Sequence, residues 1–151
     1  FNNGMVSCNW TWIYPNGNPS TKEKYEKGKL TSLECFDEDG KFTGMNCPIE
    51  TPPTIKGIYG GINKFIMDSL LFPKEALQRN ITGLVEVVFT ITREGNMENI
   101  RFESTPSKVL SDEVLRVLML VPGWYPAVEH NQKVDYPMRL RIPFYRDQGG
   151  E

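Results

Sequence analysis

The chain has 151 residues, of which 39% are hydrophobic and 24% charged, and its 17 basic side chains nearly balance 19 acidic ones. That composition excludes extended disorder and argues against nucleic-acid binding, which calls for a basic excess or stripe. No apolar run approaches the ~20 residues that cross a bilayer as a helix. The longest, VLRVLMLV, is amphipathic and stops at Pro122.

The chain opens at Phe1 with no leader pattern, which reads as a processed or truncated product whose targeting segment lies upstream. Cys8, Cys35 and Cys47 all fall in the first third. Their spacings match no zinc pattern, so no metal is expected. One disulfide with one spare thiol fits an exported protein, whereas three thiols fit a cytosolic one.

Residues 1–47 read as short strands with glycine turns. Trp10, Trp12 and Tyr14 share one parity, giving a strand an aromatic face. Asn16-Gly17, Lys27-Gly28 and Asp39-Gly40 supply turns, spaced 11 and then 12 residues apart like a short β-repeat. Cys35 and Cys47 flank the Gly40 turn and a bend at Gly44, which makes them a candidate disulfide; Cys8 with Cys35 across neighbouring strands is the rival. Residues 48–59 read as a linker, held extended by Pro52-Pro53.

From residue 60 the period changes. Ile62, Phe65, Ile66 and Leu70 mark an amphipathic helix, and Pro73 with Glu75 opens a second, shorter one. Val85, Val87, Phe89 and Ile91 alternate inward, REGN turns the chain, and Ile100 and Phe102 return inward in a hairpin. Ser111 is the expected cap of the next helix, with Val114, Val117, Leu118 and Val121 as its buried stripe. Pro122-Gly123 ends it, and Met138, Leu140, Ile142 and Phe144 alternate inward in a last strand. The order implies an α+β fold: a three-stranded antiparallel sheet with helices packed on one face, preceded by a small β-meander.

Two resemblances follow from these residues. Trp12, Tyr14, Gly17, Tyr25, Gly28, Lys29, Phe36, Asp37, Gly40 and Lys41 resemble the bacterial MORN-type repeat, over about one and a half repeats. Residues 60–147, through GGINKFI, LFPKEALQRNITGLVEVVFTITREGNMENIRF, SDEVLRVLMLVPGWYPA and MRLRIPF, resemble the TonB C-terminal domain family, in the form seen in Bacteroides relatives. Phe72-Pro73 stands where the family has Tyr-Pro, and Trp124 with Pro126 supplies its Trp-x-Pro. Phe72, Pro73, Trp124 and Pro126 are therefore expected to be structural. Trp124 is read as closing a core with Tyr125 half-exposed; the alternative is a partner-facing aromatic.

The resemblance implies a periplasmic binding module. Its partners would be the TonB-box peptide of outer-membrane transporters and, for energy, inner-membrane motor proteins. It implies a tether to the inner membrane through a segment not in this chain. An envelope structural or assembly protein with another partner is the alternative. Backbone parity places Pro137, Arg139, Arg141 and Pro143 on one edge of the last strand, and prolines cannot donate, so that edge should be open. In the TonB family the corresponding strand takes a peptide by strand addition, so Pro137, Met138, Arg139, Leu140, Arg141, Ile142 and Pro143 form the expected partner-binding stretch. An anion clamp of Arg139 and Arg141 is the lesser reading beside a solvated strand face.

Enzyme signatures are missing: no Gly-x-Ser-x-Gly, phosphate loop or His-Glu-x-x-His occurs. The single histidine, His130, lies in the hydrophilic EHNQK and reads as a solvated loop residue. DEDGK at 37–41 starts like a calcium loop but has Lys41 and Pro48 where ligands belong. No catalysis, cofactor or small-molecule substrate is expected.

Overall fold

The structure, a computed structural model, describes residues 7–146. The strands β1 (Ser7–Ile13), β2 (Pro19–Glu26), β3 (Lys29–Phe36), β4 (Phe42–Gly44), β5 (Glu50–Thr51) and β6 (Thr54–Ile55) come first. Helices α1 (Gly61–Ser69) and α2 (Lys74–Gln78) lead into β7 (Gly83–Ile91) and β8 (Met97–Ser104). Helix α3 (Lys108–Leu118) precedes β9 (Trp124–Tyr125), β10 (Ala127–Glu129), β11 (Gln132–Val134) and β12 (Tyr136–Phe144).

These elements form two compact units, one of residues up to Pro52 with Ala127–Val134, the other of Pro53–Pro126 with the chain from Asp135. The division departs from the contiguous domains expected from sequence, 1–47 and 60–147. Residues 127–134 belong to the first unit because β10 pairs with β5, Val128 opposite Thr51 and Glu129 opposite Glu50. The expected linker is also partly strand. Thr51 and Thr54, on either side of Pro52-Pro53, sit in β5 and β6, and the prolines separate the two short strands.

In the first unit β1 to β4 form an antiparallel meander in chain order. Its turns follow from residues that tolerate a left-handed backbone: Lys27 and Gly28 both have positive φ between β2 and β3. Asp37 closes the next turn by accepting hydrogen bonds on Oδ1 from the amides of Asp39 and Lys41, at 3.0 and 2.9 Å. That carboxylate caps backbone, a structural use of the calcium-like DEDGK. Tyr14 lies beyond β1, after a register shift at Ile13, and is buried, its hydroxyl donating to the Phe36 carbonyl at 2.7 Å. Cys35 and Cys47 are joined by a disulfide, and Cys8 is a free thiol. Cys8 stands opposite Tyr25 and Cys35 opposite Thr21, with the whole of β2 between them, which leaves the 8–35 bridge out of reach.

In the second unit the sheet order is β12-β7-β8, with β7 central and both pairings antiparallel. Val85, Val87, Phe89 and Ile91 of β7 join Leu140, Ile142 and Phe144 of β12 in one buried cluster with Ile66 of α1, Ala76 of α2 and Leu110, Val114, Val117 and Leu118 of α3. Helix α3 starts earlier than its sequence suggests. Ser107, not Ser111, is the cap: its backbone is extended and its side chain accepts from the Val109 amide. Ser111 is buried one turn in and returns its hydroxyl to the Lys108 carbonyl. Burial of Leu110 on the core side rewards the extra turn, an advantage that cap statistics alone do not weigh.

Candidate partner-binding edge

The strand β12 owes its position to strict alternation. Leu140, Ile142 and Phe144 are buried and Met138 is partly so, whereas Pro137, Arg139, Arg141 and Pro143 are exposed on the other face. Pairing with β7 runs without a shift from Tyr136 opposite Ile91 to Phe144 opposite Gly83. Among the described residues, no strand pairs with the other side of β12.

In an antiparallel ladder, directly opposed pairs alternate between hydrogen-bonded and non-bonded. Pro137 and Pro143 lack an N–H and share one phase, so that phase is the one that does not bond to β7. Arg139 and Arg141 then aim their N–H and C=O groups outward, roughly 7 Å apart along the strand. The open edge offers two donors framed by prolines, with acceptors also at the proline carbonyls.

The sheet's other edge, β8, is a poorer template. Its pairing with β7 is interrupted twice, and Asn99 within it has positive φ. Bulges of this kind twist an edge away from a second strand.

The arginines are not free clamps for an anion. Arg141 donates to Glu86 at 2.6 Å and Arg139 to Glu103 at 2.8 Å. Hydrogen bonds from Arg139 and then Arg101 hold the Glu103 carboxyl below its usual range. These cross-strand ion pairs engage both guanidinium groups. Of the seven residues expected to bind, Leu140 and Ile142 turn their side chains into the core, so their place at the edge is structural.

Of the residues expected to be structural, Trp124 is part of the buried core and Phe72 packs against it. Trp124 is 3% exposed, its ring 5.9 Å from that of Phe89, and β9 pairs with β6 with Trp124 opposite Ile55. Tyr125 points the other way and is exposed, with the Lys56 ammonium 5.2 Å from its ring centre. Phe72 meets Phe144 edge-on at 5.6 Å, and Pro73 caps α2.

His130 is not the solvated loop residue its neighbours suggest. It and Asn131 occupy the two-residue turn between β10 and β11, both with positive φ. Its ring stacks on Trp12 at 3.8 Å, and Nδ1 lies 2.6 Å from Glu23 Oε2. Glu23 is buried and also accepts from the Thr21 and Tyr25 hydroxyls, at 2.7 and 2.8 Å. Burial pushes its carboxyl up, but these hydrogen bonds outweigh burial and hold it below the usual range. The His-Asn pair was the available signal, since both residues tolerate a left-handed backbone. Among the described residues, no group of three or more His, Cys, Asp or Glu side chains is arranged to hold a metal.

Residues 68–145 match the family model described as Gram-negative bacterial TonB protein C-terminal. Protein TonB of Pseudomonas aeruginosa is 40% identical to this chain over 53 residues, a stretch that covers 34% of this chain and 16% of that protein. No solved structure matches.

Proposed function

Since the chain belongs to the family of Gram-negative TonB protein C-terminal domains, we propose that its second unit is a periplasmic module that receives the TonB-box peptide of an outer-membrane transporter along β12. The unbroken register of β12 with β7 and, among the described residues, its unpaired outer side carry this reading. Strand addition draws mainly on backbone hydrogen bonds, which this edge supplies at Arg139 and Arg141. On the same reading, force for transport comes from inner-membrane motor proteins, through a tether outside these residues. Among the described residues, no helix is long and apolar enough to cross a membrane. The meander is a MORN-type accessory in this proposal and takes no part in gripping the peptide.

The test is titration of a TonB-box peptide into the full chain, followed by amide NMR. Shifts should centre on residues 135–145. Arg139→Pro or Arg141→Pro removes an outward donor and should weaken binding by about tenfold, while Arg139→Ala, which keeps the N–H, should cost much less. Shifts confined to residues 7–36 overturn the assignment.

A further inference from the structure

The meander carries a second surface with a different chemistry. Trp10 and Trp12 project from one face of β1, and pairing sets Glu23 opposite Trp10, Thr21 opposite Trp12 and Tyr25 opposite Cys8. The lysines of β2, Lys22 and Lys24, have the other parity and lie on the other face. Across β3 the same face continues with Cys35, Leu33 and Leu30, none of them charged.

Trp10 is 54% exposed and Trp12 39%. Their rings are within 20° of parallel with centres 6.3 Å apart, and His130 stacks on Trp12 at 3.8 Å. Together with Glu23 and Tyr25 these three rings line an open recess of about 250 Å³. Large exposed indoles are costly to leave in water, and side by side they mark a contact surface.

The polar groups decide what that surface accepts. Thr21, Tyr25 and His130 are all directed at the Glu23 carboxylate. A sugar needs directional partners for its hydroxyls and finds those groups already engaged. A cation needs no such partner: the indole faces left open and the buried Glu23 carboxylate, opposite Trp10 on the neighbouring strand, both attract it. The recess is open and flat-walled, so it suits a planar cation that stacks and is weakly hydrated, the character of guanidinium, better than a compact ammonium that wants to be enclosed.

We propose that the Trp10–Trp12 face of the meander binds an arginine side chain of a partner polypeptide, stacked on the indoles beside the Glu23 carboxylate. This surface is independent of the β12 edge and stands or falls without it.

Acetyl-Gly-Arg-Gly-amide is the probe, titrated into the full chain. Indole N–H signals of Trp10 and Trp12 are followed by NMR, and the matching citrulline and lysine peptides serve as neutral and compact-cation comparisons. The arginine peptide should shift both indoles saturably, with the citrulline peptide binding about threefold to fivefold more weakly. Trp10→Ala removes an exposed ring, so the chain should keep its folded spectrum and lose the response at Trp12. Glu23→Gln should bring the arginine peptide down to the citrulline level; if that variant unfolds, the citrulline comparison alone decides. Equal response to arginine and citrulline, preference for lysine over arginine, or indoles unmoved at the peptide's solubility limit overturns the proposal. So does a neutral oligosaccharide that shifts the indoles where the arginine peptide does not.

Discussion

The Trp124 carbonyl oxygen lies 2.5 Å from the position that a Cβ on Gly95 would occupy. Gly95 has φ +88 in the β7–β8 turn, donating its amide to the Thr92 carbonyl at 2.8 Å. Two independent demands therefore fall on one residue, a left-handed backbone and room for a neighbouring main chain. Gly95→Ala should destabilise the fold by about 2–4 kcal/mol, because the obstacle is backbone and cannot rotate away. Thermal melting checks it; a loss under about 1 kcal/mol would mean that the turn relaxes freely.

Trp124→Ala should cost about 3–5 kcal/mol by opening a cavity beside Phe89, and Trp124→Phe distinctly less. The readout is urea denaturation alongside peptide titration. An unchanged midpoint combined with lost peptide binding would make Trp124 a recognition residue instead.

Acid should weaken the second unit through Glu113. This carboxylate accepts from Arg116 at 2.8 and 2.7 Å and from the Leu71 amide at 2.7 Å, and Arg116 in turn donates to the Ser69 carbonyl at 3.2 Å. The Arg116 hydrogen bonds hold its carboxyl below the usual range, against the upward push of burial and with help from Leu71. A depressed carboxyl contributes its full stability above the unfolded value, about 4.3 for Glu, and loses it as pH falls through the lower folded value. Denaturation midpoints should hold from neutral pH down to that region and then drop. Glu113→Gln should flatten the drop while lowering stability at pH 7 by about 1–2 kcal/mol. An acid limb identical in both proteins would rule Glu113 out as its source.

Thiol counting in denaturant without reductant should find one reactive cysteine, Cys8, with Cys35 and Cys47 linked. Reduction should cost about 2–3 kcal/mol, as expected for a loop of this span. Three reactive thiols in the untreated protein would place the bridge outside the working state.

Much of the second unit was legible because its strands obey one rule along their length. Val85, Val87, Phe89 and Ile91 share one phase of β7 and the structure buries all four, with Val88 buried on the opposite phase. The helix start at Ser107 was harder to see, since Ser111 with Asp112 and Glu113 makes a better-looking cap. What decides between them is burial of Leu110, a tertiary quantity. The hairpin of β10 and β11 was illegible for another reason. Three-residue strands carry too little periodicity to register, and the second partner of β10 lies some 80 positions away in sequence at Glu50 and Thr51. His130 followed the same fate. Its surroundings in sequence are polar, while its surroundings in space are Trp12 and Glu23. At β12 the proline parity could be read directly, but the ion pairs of Arg139 and Arg141 with Glu103 and Glu86 depend on cross-strand register.

The insertion of residues 127–134 into the first unit sets an order on how the chain can be completed as it leaves the ribosome. β1 to β5 emerge first, yet β5 has no strand to pair with until β10 has been made, and Glu23 has no imidazole until His130 arrives. By then α1 to α3 and the β7–β8 hairpin have already emerged. Until residues 127–134 are made, therefore, the meander lacks the imidazole over Trp12 and its carboxylate is short of one donor. A segment made early in this stretch is completed late, and a chaperone that favours bare indoles would have that whole interval in which to hold it.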